Sequence, residues 1–276
     1  MISYAQAAIL GLLQGISELF PISSLGHSVI FPSLVGWHIN QNDPLFLTFL
    51  VGTHLATALV LFVYFWPEWR RLLAGFFRSL VAREIKANDP DARLIWLLIV
   101  GTIPAGILGL LFEEPLKAFF ASPRTAALFL FLNGVMLLGA EWLRRRKQRM
   151  AQLSWPQAVG VGTAQAIALL PGFSRTGATI AGGLLVGLSH EDAVRFSFLL
   201  ATPIIGAAAV LKLPELLTAQ GHLFIGPTLV GALAAGIAAY FAVKFLTNYF
   251  QTNKLTPFAV YCILMGLAAS LYLGLR

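Results

Sequence analysis

The sequence predicts an all-α polytopic membrane protein built as an inverted repeat, each half a re-entrant helical hairpin followed by three transmembrane helices. Three observations carry this. Of the 276 residues, 58% are hydrophobic and only 11% charged, where a soluble domain would carry about 25% charged residues, and mean hydropathy is +0.78. Several apolar stretches reach the roughly 20 residues that a bilayer crossing requires. A broken apolar segment followed by three spans occurs twice, so the chain is read as a single integral membrane domain with halves 1–147 and 151–276. The net charge of +7 does not point to nucleic acid, because the arginines cluster between apolar stretches and do not interleave with exposed aromatics. The single cysteine, Cys262, leaves neither a disulfide framework nor a thiolate metal site. The opening residues MISYAQAAILGLLQG lack a basic leader region and a small-residue cleavage site, so they are read as retained.

Residues 3–20 and 28–37 are apolar but separated by Pro21, Ser23, Ser24 and Gly26, and neither arm makes a clean span. Irregular backbone at membrane depth is tolerated only where protein or a water-filled cavity covers it, so this pair reads as a hairpin whose tip lines a cavity. Spans follow at about 45–66, 94–112 and 125–142. The connection between the first two is polar, with Arg70, Arg71, Arg78, Arg83, Lys86 and Arg93. After the third come Arg144, Arg145, Arg146, Lys147 and Arg149, whereas Glu113 to Arg124 holds only Lys117 and Arg124 as basic residues. The positive-inside rule makes the two basic connections cytoplasmic and the Glu113–Arg124 connection external. The second half repeats the plan, with an interrupted stretch over 155–189 and spans at about 196–214, 223–247 and 256–275.

Residue correspondences support the repeat. Gln14, Pro21 and Ser24 match Gln165, Pro171 and Ser174 at offsets near 150, and Phe49 and Thr53 match Phe198 and Thr202. Val100, Gly101, Ala105, Gly106 and Ile107 match Val230, Gly231, Ala235, Gly236 and Ile237 at a constant offset of 130. Inverted repeats with broken helices place a site near the bilayer midplane, between the halves.

The chemistry starts from Glu18. No basic residue lies between Met1 and Trp69, yet a carboxylate in hydrocarbon needs a partner. Arg175 is the only charge in the second hairpin, and if the two tips meet it faces Glu18 in a cavity lined by Ser23, Ser24, His27, Ser174, Thr176 and Thr179. A structural ion pair is the simpler reading, but it would not need so many hydroxyls and glycines. Gln14 and Glu18 are four residues apart, hence on one helical face, and an amide oxygen beside a carboxylate suits a hard divalent ion such as Mg2+ or Ca2+. The run Pro171, Gly172, Phe173, Ser174, Arg175, Thr176, Gly177, Ala178, Thr179 reads as a phosphate cradle: glycines allow close backbone approach, a helix N-terminus favours an anion, and a guanidinium fork matches phosphate oxygens. Ser24 and His27 are three apart, a spacing that could pair a nucleophile with a base. His54, near Thr53 and Thr57 in the first full span, is read as an interhelical hydrogen-bonding residue or as one that supports the site from behind.

Gln14, Glu18, Pro21, Ser23, Ser24, Gly26 and His27, together with Pro171 to Thr179, resemble the undecaprenyl-diphosphate phosphatase family, also called the bacitracin-resistance family. That family carries a (Glu/Gln)-x-x-x-Glu motif and a Pro-Gly-x-Ser-Arg-Ser-x-x-Thr motif. The segments starting at His54 and His190 are also similar to it, so the resemblance spans essentially the whole chain. Gln14 takes the Gln option, Leu25 stands where a threonine is frequent, and Thr176 replaces the second serine.

The resemblance implies a hydrolase of the bacterial cytoplasmic membrane that converts undecaprenyl diphosphate to the monophosphate and inorganic phosphate, recycling the carrier lipid for cell-wall synthesis and conferring bacitracin resistance. It implies Glu18, Ser24, His27 and Arg175 as catalytic residues, with Gln14, Ser23, Gly172, Ser174, Thr176 and Thr179 contacting the diphosphate, and Gln14 with Glu18 holding a divalent cation. The expected partners are the polyprenyl diphosphate and membrane lipids, with no nucleic acid and with a homodimer as an option. The site is expected on the outer side of the membrane. Attack by Ser24 and direct attack by water stay open. The alternative from another class is a polyprenyl-phosphate transporter or flippase, because inverted repeats with broken helices are also a transporter architecture.

Overall fold

The computed structural model describes residues 2–41, 43–112, 122–144 and 148–275, and these are helical throughout apart from short connections. Among the described residues eleven α-helices follow one another: α1 (Tyr4–Leu19), α2 (Ser24–Leu34), α3 (Pro44–Tyr64), α4 (Trp66–Ala82), α5 (Pro90–Leu111), α6 (Pro123–Leu143), α7 (Trp155–Ala166), α8 (Arg175–Leu185), α9 (His190–Lys212), α10 (His222–Tyr249) and α11 (Thr256–Gly274). Helices start where the sequence supplies a cap. The side chains of Ser3, Asp43, Asp89, Ser122, Ser154, Ser174 and Ser189 each accept a backbone N–H of the following turn. Proline within the first turn of α3, α5, α6 and α7 adds a pre-set backbone angle at a position that needs no N–H.

Among the described residues six helices, α3, α5, α6, α9, α10 and α11, are long and apolar enough to cross a membrane, so the chain is a polytopic membrane protein. Their outer faces carry exposed Val63, Leu111, Leu233 and Leu271, which is what a hydrocarbon solvent requires. Of the four shorter helices outside these spans that pair across the chain breaks, α1 has 16 residues, α2 and α8 have 11 and α7 has 12. None is long enough alone to cross a hydrocarbon core of about 30 Å.

Two expectations change. The polar connection between the first two spans contains a 17-residue helix, α4. Arg70, Arg71 and Arg78 are exposed, while Trp69, Leu72, Gly75 and Ser79 recur at helical spacing and are buried; Arg78 donates two hydrogen bonds to Asp89, at 2.9 and 3.0 Å, and so ties α4 to the cap of α5. That guanidinium holds the Asp89 carboxyl below the usual carboxylate range. The span expected from 196 begins at His190, because Ser189 caps it and Glu191 and Asp192 complement the helix dipole in its first turn. Most of the expected external connection, residues 113–121, lies outside the described residues, as do Arg145, Arg146 and Lys147.

Interior packing is set by close helix crossings. Helix α1 packs on α10 and α7 on α5; α6 pairs with α11, and α3 touches both α9 and α10. At the α1–α10 crossing Gly11 rests on the backbone of Gly231, and at the α7–α5 crossing Gly162 rests on the backbone of Gly101, with no room for a methyl group at Gly11 or Gly162. Polar ties close the ends: Arg195 of α9 donates to Glu68 of α4 at 2.6 Å, and Glu141 of α6 meets His190 at 2.8 Å and accepts the Leu255 N–H at 3.1 Å.

The α7–α5 crossing yields a direct test. Gly162→Ala should force the helices apart and lower stability in detergent by about 1–3 kcal/mol. Gly160→Ala, two residues away where a methyl group meets open space, should not. The comparison is read as thermal unfolding of the two purified variants, and equal melting would contradict the crossing.

Candidate active site

Two chain breaks build the site. Helix α1 stops at Phe20, whose backbone is extended (φ −68, ψ 143), the conformation a following proline favours. Beyond Pro21 the chain turns sharply at Ser23, which has φ 69, a conformation that non-glycine residues seldom adopt. The Ser23 hydroxyl then accepts the Gly26 N–H at 3.1 Å, so α2 begins with Ser24 as its first residue. The second break follows the same logic. Leu170 is extended before Pro171, Gly172 has φ 116, and the Ser174 hydroxyl accepts the Gly177 N–H at 3.0 Å, which starts α8 at Arg175. The two tips touch backbone to backbone: a methyl group on Gly26 would come within 2.9 Å of the Gly172 Cα.

At this meeting point Glu18, only 4% exposed, receives donors on both oxygens. Arg175 gives Nη2–H and Nε–H to Oε1 at 2.8 and 3.1 Å. Ser24 donates its hydroxyl to Oε2 at 2.6 Å, and Gln14 donates its amide to the same oxygen at 3.2 Å. His54 Nε2 lies 3.2 Å from Glu18 Oε2 and 3.4 Å from Ser24 Oγ. The hydroxyl of Thr176 donates to the Glu18 carbonyl at 2.7 Å. Behind Arg175, the Thr179 hydroxyl bonds the Ser197 hydroxyl and the Arg175 carbonyl, and Nη1 reaches the Ser197 carbonyl at 3.4 Å. The N-termini of α2 and α8 both open at this cluster, an arrangement suited to an anion.

Thus Gln14, Glu18, Ser24, Arg175 and Thr176 form one cluster, with Ser23, Gly172, Ser174 and Thr179 shaping its backbone. His27 is not brought to Ser24. Its Nδ1 pairs with the Ser23 carbonyl at 2.7 Å, its Nε2 with the Tyr261 hydroxyl at 2.8 Å, and the ring stacks on Tyr261. Two residues matter more than their sequence positions suggest. His54 reaches the carboxylate and the serine directly. Asn133 of α6, fully buried, accepts the Ser174 N–H at 3.0 Å and donates to the Pro21 carbonyl at 3.0 Å, so one amide clamps both tips. The available signal was the same for both: a polar side chain in the middle of an apolar span requires a partner.

A divalent ion needs oxygen ligands. Gln14 turns its N–H toward Glu18 and leaves Oε1 buried without a partner, while the Glu18 carboxylate already carries a guanidinium. Among the described residues no group of three or more His, Cys, Asp and Glu side chains could hold a metal ion. In this arrangement Gln14 and Glu18 do not form a cation site by themselves.

Comparison with known proteins agrees with the motifs. A family model described as bacitracin resistance protein BacA matches residues 7–268. A protein named undecaprenyl-diphosphatase from Mycolicibacterium paratuberculosis is 48% identical, the alignment covering 100% of this chain and 99% of the relative. One of the same name from Mycobacterium avium is also 48% identical over the same shares, and undecaprenyl-diphosphatase 2 of Chromobacterium violaceum is 44% identical over 97% of this chain and 98% of its own. With the family model and these relatives all running almost end to end, the chain belongs to the bacitracin resistance protein BacA family.

Proposed function

We propose that the chain is a membrane phosphatase that hydrolyses undecaprenyl diphosphate to undecaprenyl phosphate and inorganic phosphate, returning the carrier lipid to cell-wall synthesis and so conferring bacitracin resistance. The observation that carries this reading is the Glu18–Arg175 pair at the meeting of two chain breaks, with a serine hydroxyl on the same carboxylate. Phosphoryl transfer depends mainly on positioning and charge neutralisation. Arg175 and the N-termini of α2 and α8 supply positive potential for the terminal phosphate. Ser24, the first residue of α2, is placed to attack its phosphorus, with Glu18 orienting both the hydroxyl and the guanidinium. The prenyl chain stays in lipid while the diphosphate enters between the hairpins.

The two halves are proposed to be inverted repeats and the hairpins re-entrant. The reciprocal crossings support this: Gly11 and Gly162, 151 residues apart, each rest on one of the pair Gly231 and Gly101, 130 apart, the offsets of the repeat. The helix caps refine its register. They align Ser23 with Ser174, and therefore Ser24 with Arg175, so the nucleophile and the guanidinium take equivalent places on the two tips. The basic residues Arg70, Arg71, Arg78, Arg83, Lys86 and Arg93 put their connection in the cytoplasm, which leaves the first hairpin entering from the outer side of the cytoplasmic membrane and the site facing outward.

Purified protein in detergent should release phosphate from a C15 or C55 prenyl diphosphate; a transporter would release none. Glu18→Gln and Arg175→Ala should each lower turnover by at least about 100-fold. Removing one partner of a buried pair also costs about 3–5 kcal/mol of stability. The double variant Glu18→Gln with Arg175→Gln, which leaves no lone charge, should recover melting temperature without recovering turnover, and an active double variant would rule the pair out of the mechanism. The expected Mg2+ or Ca2+ is proposed to arrive with the substrate, its phosphate oxygens serving as the ligands. Chelation should then abolish turnover and either ion restore it, while a chelator-insensitive enzyme needs no metal.

A further inference from the structure

We propose that His54 is a catalytic residue, the base that takes the proton of Ser24 Oγ as that oxygen attacks phosphorus; this rests on the reading of Ser24 as nucleophile. The geometry restricts the choice of base to three groups. His27 has both ring nitrogens committed, to the Ser23 carbonyl and the Tyr261 hydroxyl. Glu18 accepts the Ser24 hydroxyl at 2.6 Å, but it also carries the Arg175 guanidinium on its other oxygen, and accepting a proton would dissolve that charge pairing in apolar surroundings. His54 is the imidazole whose Nε2 lies beside Ser24 Oγ, with the Glu18 carboxylate as its other neighbour. Its Nδ1 lies 2.7 Å from the Leu50 carbonyl, which can only accept, so Nδ1 carries the proton. In the neutral ring Nε2 therefore presents a lone pair, 3.4 Å from Ser24 Oγ.

The same atom lies 3.2 Å from Glu18 Oε2, and that contact serves the second state of the ring. Once Nε2 holds the proton, it becomes a charged donor facing a carboxylate. The Leu50 carbonyl orients the ring through Nδ1, His54 is the base and Ser24 the nucleophile, while Glu18, on the Nε2 side, stabilises the charged ring; the three side chains come from α3, α2 and α1. In the first step the Ser24 Oγ–P bond forms, the bond from phosphorus to the bridging oxygen breaks, undecaprenyl phosphate leaves, and the hydroxyl proton moves to His54 Nε2. In the second, water attacks the phosphoserine, its oxygen bonds to phosphorus and the Ser24 Oγ–P bond breaks. Ser24 Oγ regains the proton from Nε2, and both protons of the attacking water leave with inorganic phosphate, as H2PO4−.

The test compares full-length Ser24→Ala, His54→Gln and His54→Ala in detergent on a C15 prenyl diphosphate. His54→Gln, which keeps a hydrogen-bonding side chain, should lower kcat by about 100-fold or more with KM changed less than about threefold, and added imidazole should return part of the activity of His54→Ala. Rescue of that kind does not follow from a merely structural role. A His54→Gln enzyme within about fivefold of the parent kcat, alongside an inactive Ser24→Ala, overturns the role of His54 and leaves the site reading intact. An active Ser24→Ala overturns the nucleophile itself, and His54 with it.

Discussion

The arrangement depends on one constraint: Glu18, 4% exposed among apolar helices, must be neutralised where it stands. Its partner comes from 157 residues away, and the bond from Arg175 Nη2 is 2.8 Å long. Buried charges of this kind are weak sources of net stability, because desolvation offsets most of their attraction, but losing one partner is expensive. The pair therefore acts less as glue than as a specification. Only a packing that brings the α1–α2 break against the α7–α8 break satisfies both charges, and that packing also delivers Ser24 and two helix N-termini to one point.

The supporting structure makes that convergence cheap in steric terms. Glycine lets α1 lie against α10 and α7 against α5 at backbone contact, and the tips themselves meet at Gly26 and Gly172. Close approach through small residues is how helices gain packing energy in lipid, where no hydrophobic driving force separates helix from solvent. Asn133 then fixes the residual freedom, because its amide bonds the Pro21 carbonyl of one tip and the Ser174 N–H of the other. Each side of the site is thus held by the opposite half or by a shared helix, and neither break has to be rigid alone.

Much of this was legible in the residues. Apolar length located the spans, and the breaks at Pro21 and Pro171 followed from what proline does to the residue before it. Pairing Glu18 with Arg175 required only that a carboxylate in hydrocarbon have a partner and that each hairpin hold a single charge. Other features were not legible. Helix α4 was hidden because its arginines dominate a linear reading, whereas its buried stripe of Trp69, Leu72 and Ser79 emerges only at helical spacing against α5. His27 sits three residues after Ser24, and spacing alone joined the two. The imidazole turns instead to Tyr261 of α11, a residue 234 positions away that no local pattern could nominate.

The sequence by itself determined which segments enter the membrane, where they break, and which two charges have to meet, because hydrophobicity, proline geometry and the cost of an unpaired ion act locally or by simple elimination. Tertiary structure alone decided which polar side chains stand beside those charges. His54 and Asn133 each announced a need for a partner, but the identity of that partner depends on how α3 and α6 rotate against the two tips, and rotation is set by the summed packing of many small contacts.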